Sequence, residues 1–299
     1  MTIDRATFLS VVGCAVRAPS MHNAQPWRFR LTPDGIEVTA AGPAGWATRI
    51  ACGAAVFNLR LALAVRGIAT TLDRDPTLVR PCGACVPTPA QVRLARAVVH
   101  RHSNRYPFSD RPVPPDARHA LIAAAAAEGA RLDFAGGPAA VDAVADLARR
   151  AARRLGGSDA EALTWSRDGH EPFDGVPAAA GGPAGDGGEL LPRRAYRTAA
   201  TAGTWTYERE PLLAVLSVGA DGPADQLRAG EALQRVLLTA TDLGLAVSMY
   251  SQPIEVPDLR VELRDTVHTG RYPQMLLRLG HAPAAPASGR RPVEDVVLD

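Results

Sequence analysis

Residues 18–27, Ala18-Pro19-Ser20-Met21-His22-Asn23-Ala24-Gln25-Pro26-Trp27, crowd small polar side chains between two prolines. Proline fixes φ and has no backbone donor, so a helix cannot run through the stretch and the N–H groups inside it are free to meet a ligand. Ser20, His22, Asn23 and Gln25 offer hydroxyl, imidazole and amide groups, which suit the polar edge of a flat cofactor. The plainer reading is a helix-to-strand turn. A second stretch, His100-Arg101-His102-Ser103-Asn104-Arg105-Tyr106-Pro107-Phe108, places a hydroxyl between two guanidinium groups. Such a trio can surround one phosphate with charge-assisted hydrogen bonds. From the residues alone it is equally a solvated basic turn. His22 has the chemistry for proton delivery, although a lone histidine more often only orients a neighbour.

Composition narrows the chemistry further. All 33 basic residues are arginine, and with no lysine the chain has no route to Schiff-base or P-loop chemistry. A net charge of +2 makes no case for nucleic acid as a partner. The four cysteines include Cys82-Gly83-Ala84-Cys85, but no second pair completes a zinc site, and they read as reduced or inert thiols. The seven histidines show no H-x-x-x-H or H-E-x-x-H spacing, so no metal is expected. With no apolar core behind Met1 and no 18-residue apolar run, the sequence predicts a cytoplasmic protein with no membrane partner.

The two stretches need elements to hold them. Helical periodicity runs from Asp4 to Val16, just before the first stretch, and a hairpin of 28–31 and 35–38 follows it. A long apolar helix, Cys52 to Gly67, is expected at the centre of its domain. Two strands fall between 69 and 86 and a helix over 90–100, leading into the second stretch. Helices over 116–129 and 139–155 bracket a strand at 131–134. Residues 156–202 are rich in Gly and Pro with isolated anchors Trp165, Phe173, Val176 and Tyr196, the composition of a lid or of a floppy insertion. A strand at 211–218, a helix at 230–244 and strands at 245–253 and 273–281 close the chain. Gly53 and Gly67 repeat as Gly230 and Gly244 at an offset of 177 residues, with Ala55 and Leu61 identical to Ala232 and Leu238. A single long offset of this kind means two tandem copies of one domain, forming a pseudo-dimer within one chain.

The spelling A-P-S-x-x-N-x-Q-P-W of the first stretch resembles the flavin-binding loop of the nitroreductase family, and A-P-S-x-H-N-x-Q-P-W resembles its Acg branch, an actinobacterial group of single-chain FMN proteins. The second stretch, R-x-S-x-R-x-F, is similar to the family motif for the FMN phosphate and ribityl chain. The resemblance implies an α+β nitroreductase-like fold built around mostly antiparallel sheets. It implies a first half at 1–98 and a second at 99–299, with a lid at about 156–202. It carries FMN binding onto Pro19, Ser20, Met21, His22, Asn23 and Gln25 in the loop, and onto Arg101, His102, Ser103 and Arg105 in the grip. Met249, Tyr250, Ser251 and Gln252 correspond to the strand end against the flavin ring, and Arg290 to a basic phosphate contact. His22, Tyr250 and Ser251 are the candidates for a catalytic role, none of them certain. The first half has the loop without the grip and the second the grip without the loop, so one FMN per chain and a working monomer are expected. The implied activity is an FMN-dependent oxidoreductase, with NAD(P)H as reductant and a nitroaromatic, quinone or similar small-molecule acceptor. The alternatives are a protein that sequesters FMN under its lid without turnover, or an FMN-dependent dehydrogenase of a specialised metabolite.

Overall fold

The computed structural model describes residues 2–156, 158–167, 173–183, 189–198 and 206–299. The Asp4 carboxylate accepts from the Thr7 amide at 2.7 Å and so starts α1 (Arg5–Ala15). The candidate loop follows, with one 3-10 turn at Met21–Asn23, and delivers the chain into β1 (Trp27–Thr32) and β2 (Gly35–Ala40). Helix α2 (Trp46–Ala64) is buried along most of its length, as its composition demands. It begins six residues before the expected Cys52, because Gly45 caps a first turn of Trp46 and Ala47. Strands β3 (Ile68–Arg74) and β4 (Thr77–Ala84) and helix α3 (Pro89–Ala97) complete this run, α3 opening on a Thr88–Gln91 capping box.

The chain continues through α4 (Pro115–Ala126), β5 (Arg131–Phe134) and α5 (Gly137–Arg154). Short pieces α6 (Ser158–Thr164), β6 (Ser166–Arg167) and β7 (Val176–Pro177) lie within the expected lid, and β6 pairs with β7 in parallel. The rest of the expected lid, at 157, 168–172, 184–188 and 199–202, falls outside the described residues. Strand β8 (Leu212–Val218), helix α7 (Pro223–Asp242) and β9 (Ala246–Tyr250) come next. Ser251 and Gln252, expected in the strand, instead open the short helix α8 (Gln252–Glu255), where Pro253 ends the ladder. Helix α9 (Pro257–Thr266), β10 (Tyr272–Gly280) and β11 (Val297–Leu298) finish the fold.

The first sheet has the order β11-β1-β2-β4-β3 and the second β5-β8-β10-β9. Leaving out β11, both sheets read first, second, fourth, third strand along the chain, and in both a long helix joins the second strand to the third. All pairings in the two sheets are antiparallel except β1 with β11, where Val297 and Leu298 lie beside Phe29 and Arg30. The C-terminal residues thus complete the first sheet. That brings Arg290 and Arg291 back to the loop at 18–27.

Helices α2 and α7 pack on each other through Gly53 and Gly230. A Cβ on Gly53 would stand 3.0 Å from the Gly230 Cα, and one on Gly230 would stand 2.9 Å from the Gly53 Cα. The backbone oxygens of Leu227 and Ile50 would be nearer still, so any side chain at either position forces the helices apart. Arg49 donates to Gln226 at 3.0 Å across the same crossing, also 177 residues away. The Gln234 amide donates to the buried Asn58 carbonyl at 2.8 Å. Of the described helices, only α2 is long and apolar enough to cross a membrane, and protein covers most of it.

Candidate functional site

Two connected cavities lie where the first stretch meets the second. The smaller, about 400 Å³, is lined by Arg101, His102, Ser103 and Arg290, with Asn23 and Ser288 at its edge. The larger, about 880 Å³, is lined by Met21, His22, the start of α2 and the end of β9. Pro19, Ser20, Ser103 and Arg105 line both and so mark the junction.

The smaller cavity is strongly cationic. Arg101 is only 5% exposed, and its Nε and Nη1 have no hydrogen-bond partner. Burial lowers its pKa to about 10, so it stays charged at neutral pH. Arg290 is pushed down to about 9, first by burial and then by the charges of Arg101 and Arg17. Its terminal nitrogens donate to the backbone oxygens of Ala18 (3.3 Å), Ser288 (3.2 Å) and Gly289 (2.7 Å), which aims the head without neutralising it. His102 is held below its usual pKa by burial and by the neighbouring cations Arg101 and Arg290. A buried guanidinium without a counter-charge costs several kcal/mol, and an anion in this cavity would offset it.

The larger cavity is a chamber with an apolar floor and a polar rim. Trp46, Ile50 and Leu233 come from the crossing of α2 and α7, and Met249 and Met275 from the second sheet. Tyr250, Ser251 and Gln252 line it as expected, and Ser248 joins them. The segment expected as a lid supplies the rest: Arg193, Arg194 and the anchor Tyr196. Arg193 pairs with Glu189, and Arg194 with Glu255 and with the Ser251 hydroxyl at 3.1 Å. Arg105 donates to the Ala180 carbonyl at 3.0 Å and lies 4.8 Å over the Tyr196 ring.

The loop itself is strained. His22, Asn23 and Gln25 all have positive φ, 52°, 57° and 53°. Each such non-glycine conformation costs of order 1–3 kcal/mol and persists only where its surroundings enforce it. Here Asn23 and Gln25 do the enforcing, and Asn23 lines the smaller cavity as well. The Asn23 amide donates to the backbone oxygens of Gly175 (3.0 Å) and Gly289 (3.1 Å). The Gln25 amide donates to Phe173 O at 2.8 Å, and its carbonyl accepts from the Arg291 backbone at 2.8 Å. Gln25 lines neither cavity; it ties the loop to the segment around Phe173 and to the C-terminal arm. Asp174 joins the same two segments through Arg167 (2.9 Å) and Arg291. His22 points the other way, into the chamber, where burial and then the Arg194 charge lower its pKa to about 4. The isolated aromatics Trp165 and Tyr196 were the sequence signal for this wall, and both pack on His22.

No family model matches the chain. The Mycobacterium tuberculosis (strain H37Rv) protein Rv3131, provisionally named an NAD(P)H nitroreductase, is 33% identical over 332 aligned residues, 98% of this chain and 92% of the relative. The acg protein of the same strain, provisionally named likewise, is 28% identical over 96% of this chain and 94% of its own length. Among solved structures, an FMN-bound nitroreductase from Bacteroides fragilis aligns over 66% of this chain and 93% of its own, with 17% identity and a TM-score of 0.40. Similarity to Rv3131 over nearly its whole length places this chain in the nitroreductase family.

Proposed function

We propose that this chain is an FMN-dependent oxidoreductase that takes a hydride from NAD(P)H and passes it to a quinone, a nitroaromatic or a similar acceptor. The observation that carries this reading is Arg101, a buried cation with unpartnered N–H groups, in a cavity that shares four lining residues with a chamber floored by Trp46, Ile50 and methionines. A cofactor with a phosphate at one end and a flat ring at the other suits that pair of cavities. Arg101, Ser103, Arg105 and Arg290 would hold the phosphate, and Ser20 and Pro19 would flank the linking chain. Met21, His22, Met249, Tyr250, Ser251 and Gln252 would surround the ring. When bound, FMN supplies the hydride chemistry at N5, and the protein supplies binding, orientation and exclusion of water. Residues 1–98 and 99–299 are two copies of one domain in this reading, joined at α2 and α7. The shared strand order of the two sheets and the paired glycines support it. The loop comes from one copy and the grip from the other, so a cytoplasmic monomer would carry one FMN.

The second reading is a protein that sequesters FMN without turnover. The walling of the chamber by Arg193, Arg194 and Tyr196 favours it. An absorbance spectrum of the purified protein, followed anaerobically through addition of NADPH or NADH, separates the two. The oxidoreductase shows a flavin band that bleaches and then returns with a quinone. A band that stays oxidised selects sequestration, and no band after reconstitution with FMN removes both readings.

A further inference from the structure

Hydride reduction of a quinone or nitro oxygen leaves an oxyanion that needs a proton. His22 stands between the chamber and the surface. It is 5% exposed, and its Nδ1 lies 2.9 Å from the Tyr196 hydroxyl. Both residues line the chamber. On its far side, Nε2 has no hydrogen-bond partner but lies 3.3 Å from the Glu161 carboxylate, whose side chain is 52% exposed. Trp165 stacks parallel to the imidazole, 6.0 Å between centroids, and Tyr196 meets it edge-on. The ring is therefore held in one plane, with one nitrogen towards an exposed carboxylate and the other towards a hydroxyl on the chamber wall.

We propose that Glu161, His22 and Tyr196 form a proton relay that brings solvent protons to the electron acceptor as it is reduced. The proposal rests on the oxidoreductase reading above. As the acceptor gains the hydride, the Tyr196 hydroxyl gives its proton to the acceptor oxygen. The phenolic oxygen recovers a proton from His22 Nδ1 as Nε2 takes one that the Glu161 carboxylate has first picked up from water, so that Glu161 begins and ends as a carboxylate. One solvent proton enters and one acceptor O–H bond forms. Both electrons come from the hydride donor, and no relay group ends with a changed charge. The starting tautomer returns when product leaves and water enters the chamber. A relay of this kind works through a neutral imidazole, and the lowered pKa of His22 keeps it neutral at pH 7.

A purely structural role is the rival: His22 could serve only to pin Tyr196 and Glu161 over the loop. Full-length protein loaded with FMN and reduced by dithionite, so that no nicotinamide donor is involved, separates the two. Its reoxidation is followed by stopped flow with a quinone, menadione, and with ferricyanide, which takes electrons alone. In Tyr196→Phe and in Glu161→Gln the ratio of quinone to ferricyanide rates falls by about 100-fold, the low end of general acid catalysis. The wild type shows a solvent deuterium isotope effect with the quinone that both variants lose. A readout independent of turnover comes from imidazole-nitrogen NMR of the FMN-free protein, in which Tyr196→Phe moves the Nδ1 resonance of His22. Glu161→Gln, a change at a half-exposed side chain, carries the test if Tyr196→Phe does not fold. An unchanged ratio in both variants, equal slowing with both acceptors, or an unmoved Nδ1 signal overturns the relay. A relay that fails while NADPH still bleaches the flavin leaves the oxidoreductase reading standing.

Discussion

Arg101→Met is the substitution whose two effects run in opposite directions. Arg101 is buried and charged, and its Nε and Nη1 have no partner. A phosphate monoester brings about −1.5 to −2 charges at pH 7 and three acceptor oxygens. Removing one member of a buried charged pair costs about 3–5 kcal/mol. At about 1.4 kcal/mol per factor of ten, the FMN dissociation constant should rise by about 10² to 4 × 10³. Riboflavin, which has the ring and ribityl chain without the phosphate, should bind the variant and the wild type within about threefold. The FMN-free variant should meanwhile be more stable by about 1–3 kcal/mol, since methionine replaces a buried donor group that nothing satisfies. Quenching of flavin fluorescence measures both affinities, and urea unfolding measures the stability. The phosphate loses its second charge near pH 6, so wild-type affinity for FMN should weaken below that pH, and Arg101→Met should blunt the dependence. Equal losses for FMN and riboflavin, or a destabilised FMN-free variant, would refute the reasoning and make Arg101 a structural residue.

Three further outcomes follow from the geometry. Gly53→Ala should cost about 3 kcal/mol in urea unfolding, because the added methyl would stand 2.0 Å from the Leu227 backbone oxygen of α7. Gly13→Ala in α1, with only Val293 Cγ2 within 4 Å, should be neutral or gain up to about 1 kcal/mol, which controls for helix propensity. His22 titrates near 4 in the folded protein against 6.5 unfolded, so the unfolded chain takes up its proton first as pH falls. Stability should therefore be lost progressively between pH 6.5 and 4, by about 3 kcal/mol in total from this group, and His22→Gln should lose correspondingly less over that window. Gln25→Ala should weaken FMN binding by about tenfold with no cavity contact removed, since Gln25 holds the backbone of Arg291 next to Arg290. Unchanged affinity in titration would show that the arm keeps its place without that bond.

The elements whose burial shows as periodicity were legible in the sequence. α1, α2, α7 and the flanking strands expose their cores through apolar spacing and their ends through Gly67 and Gly244, both at positive φ. The cationic cavity was legible too, since Arg101, Ser103 and Arg105 lie close together in the chain. The chamber wall was legible only as an expected lid with Tyr196 among its anchors. Arg193 and Arg194 lie in a Gly- and Pro-rich segment with no period; Arg193 pairs with nearby Glu189, but Arg194 and Tyr196 are placed by Glu255 and His22, far away in the chain. The roles of Asn23 and Gln25 were hidden for the same reason. A polar side chain beside a binding loop looks the same in sequence whether it faces the ligand or ties down the backbone. Only the positions of Gly175, Gly289 and Phe173 decide between the two.

On the reading proposed above, two copies of one domain holding one FMN, the two ends of the α2–α7 crossing should differ in chemistry, and they do. The stripe of α2 facing the chamber, Ala47, Ile50 and Ala51, is small and apolar. At the 177-residue offset its counterpart on α7 is Ala224, Leu227 and Arg228, and one turn further on Ala54 is matched by Glu231. Glu231 has a fully buried side chain and binds Arg60 at 2.5 Å and Arg74 at 2.8 Å. Burial raises the pKa of Glu231, and Arg60 and Arg74 work against that. Glu128 extends the cluster to Arg60 and Arg235, and the Arg228 stem packs where a Cβ on Gly129 would be 3.2 Å away. Where one end of the α2–α7 crossing has a chamber, the other has charges paired within the protein. Such a cluster adds little stability over an apolar filling, but it leaves no unpaired cation to attract a phosphate. The contrast with Arg101 is one of charge: Arg60 and Arg74 share a carboxylate supplied by the chain, and Arg101 has none among the described residues.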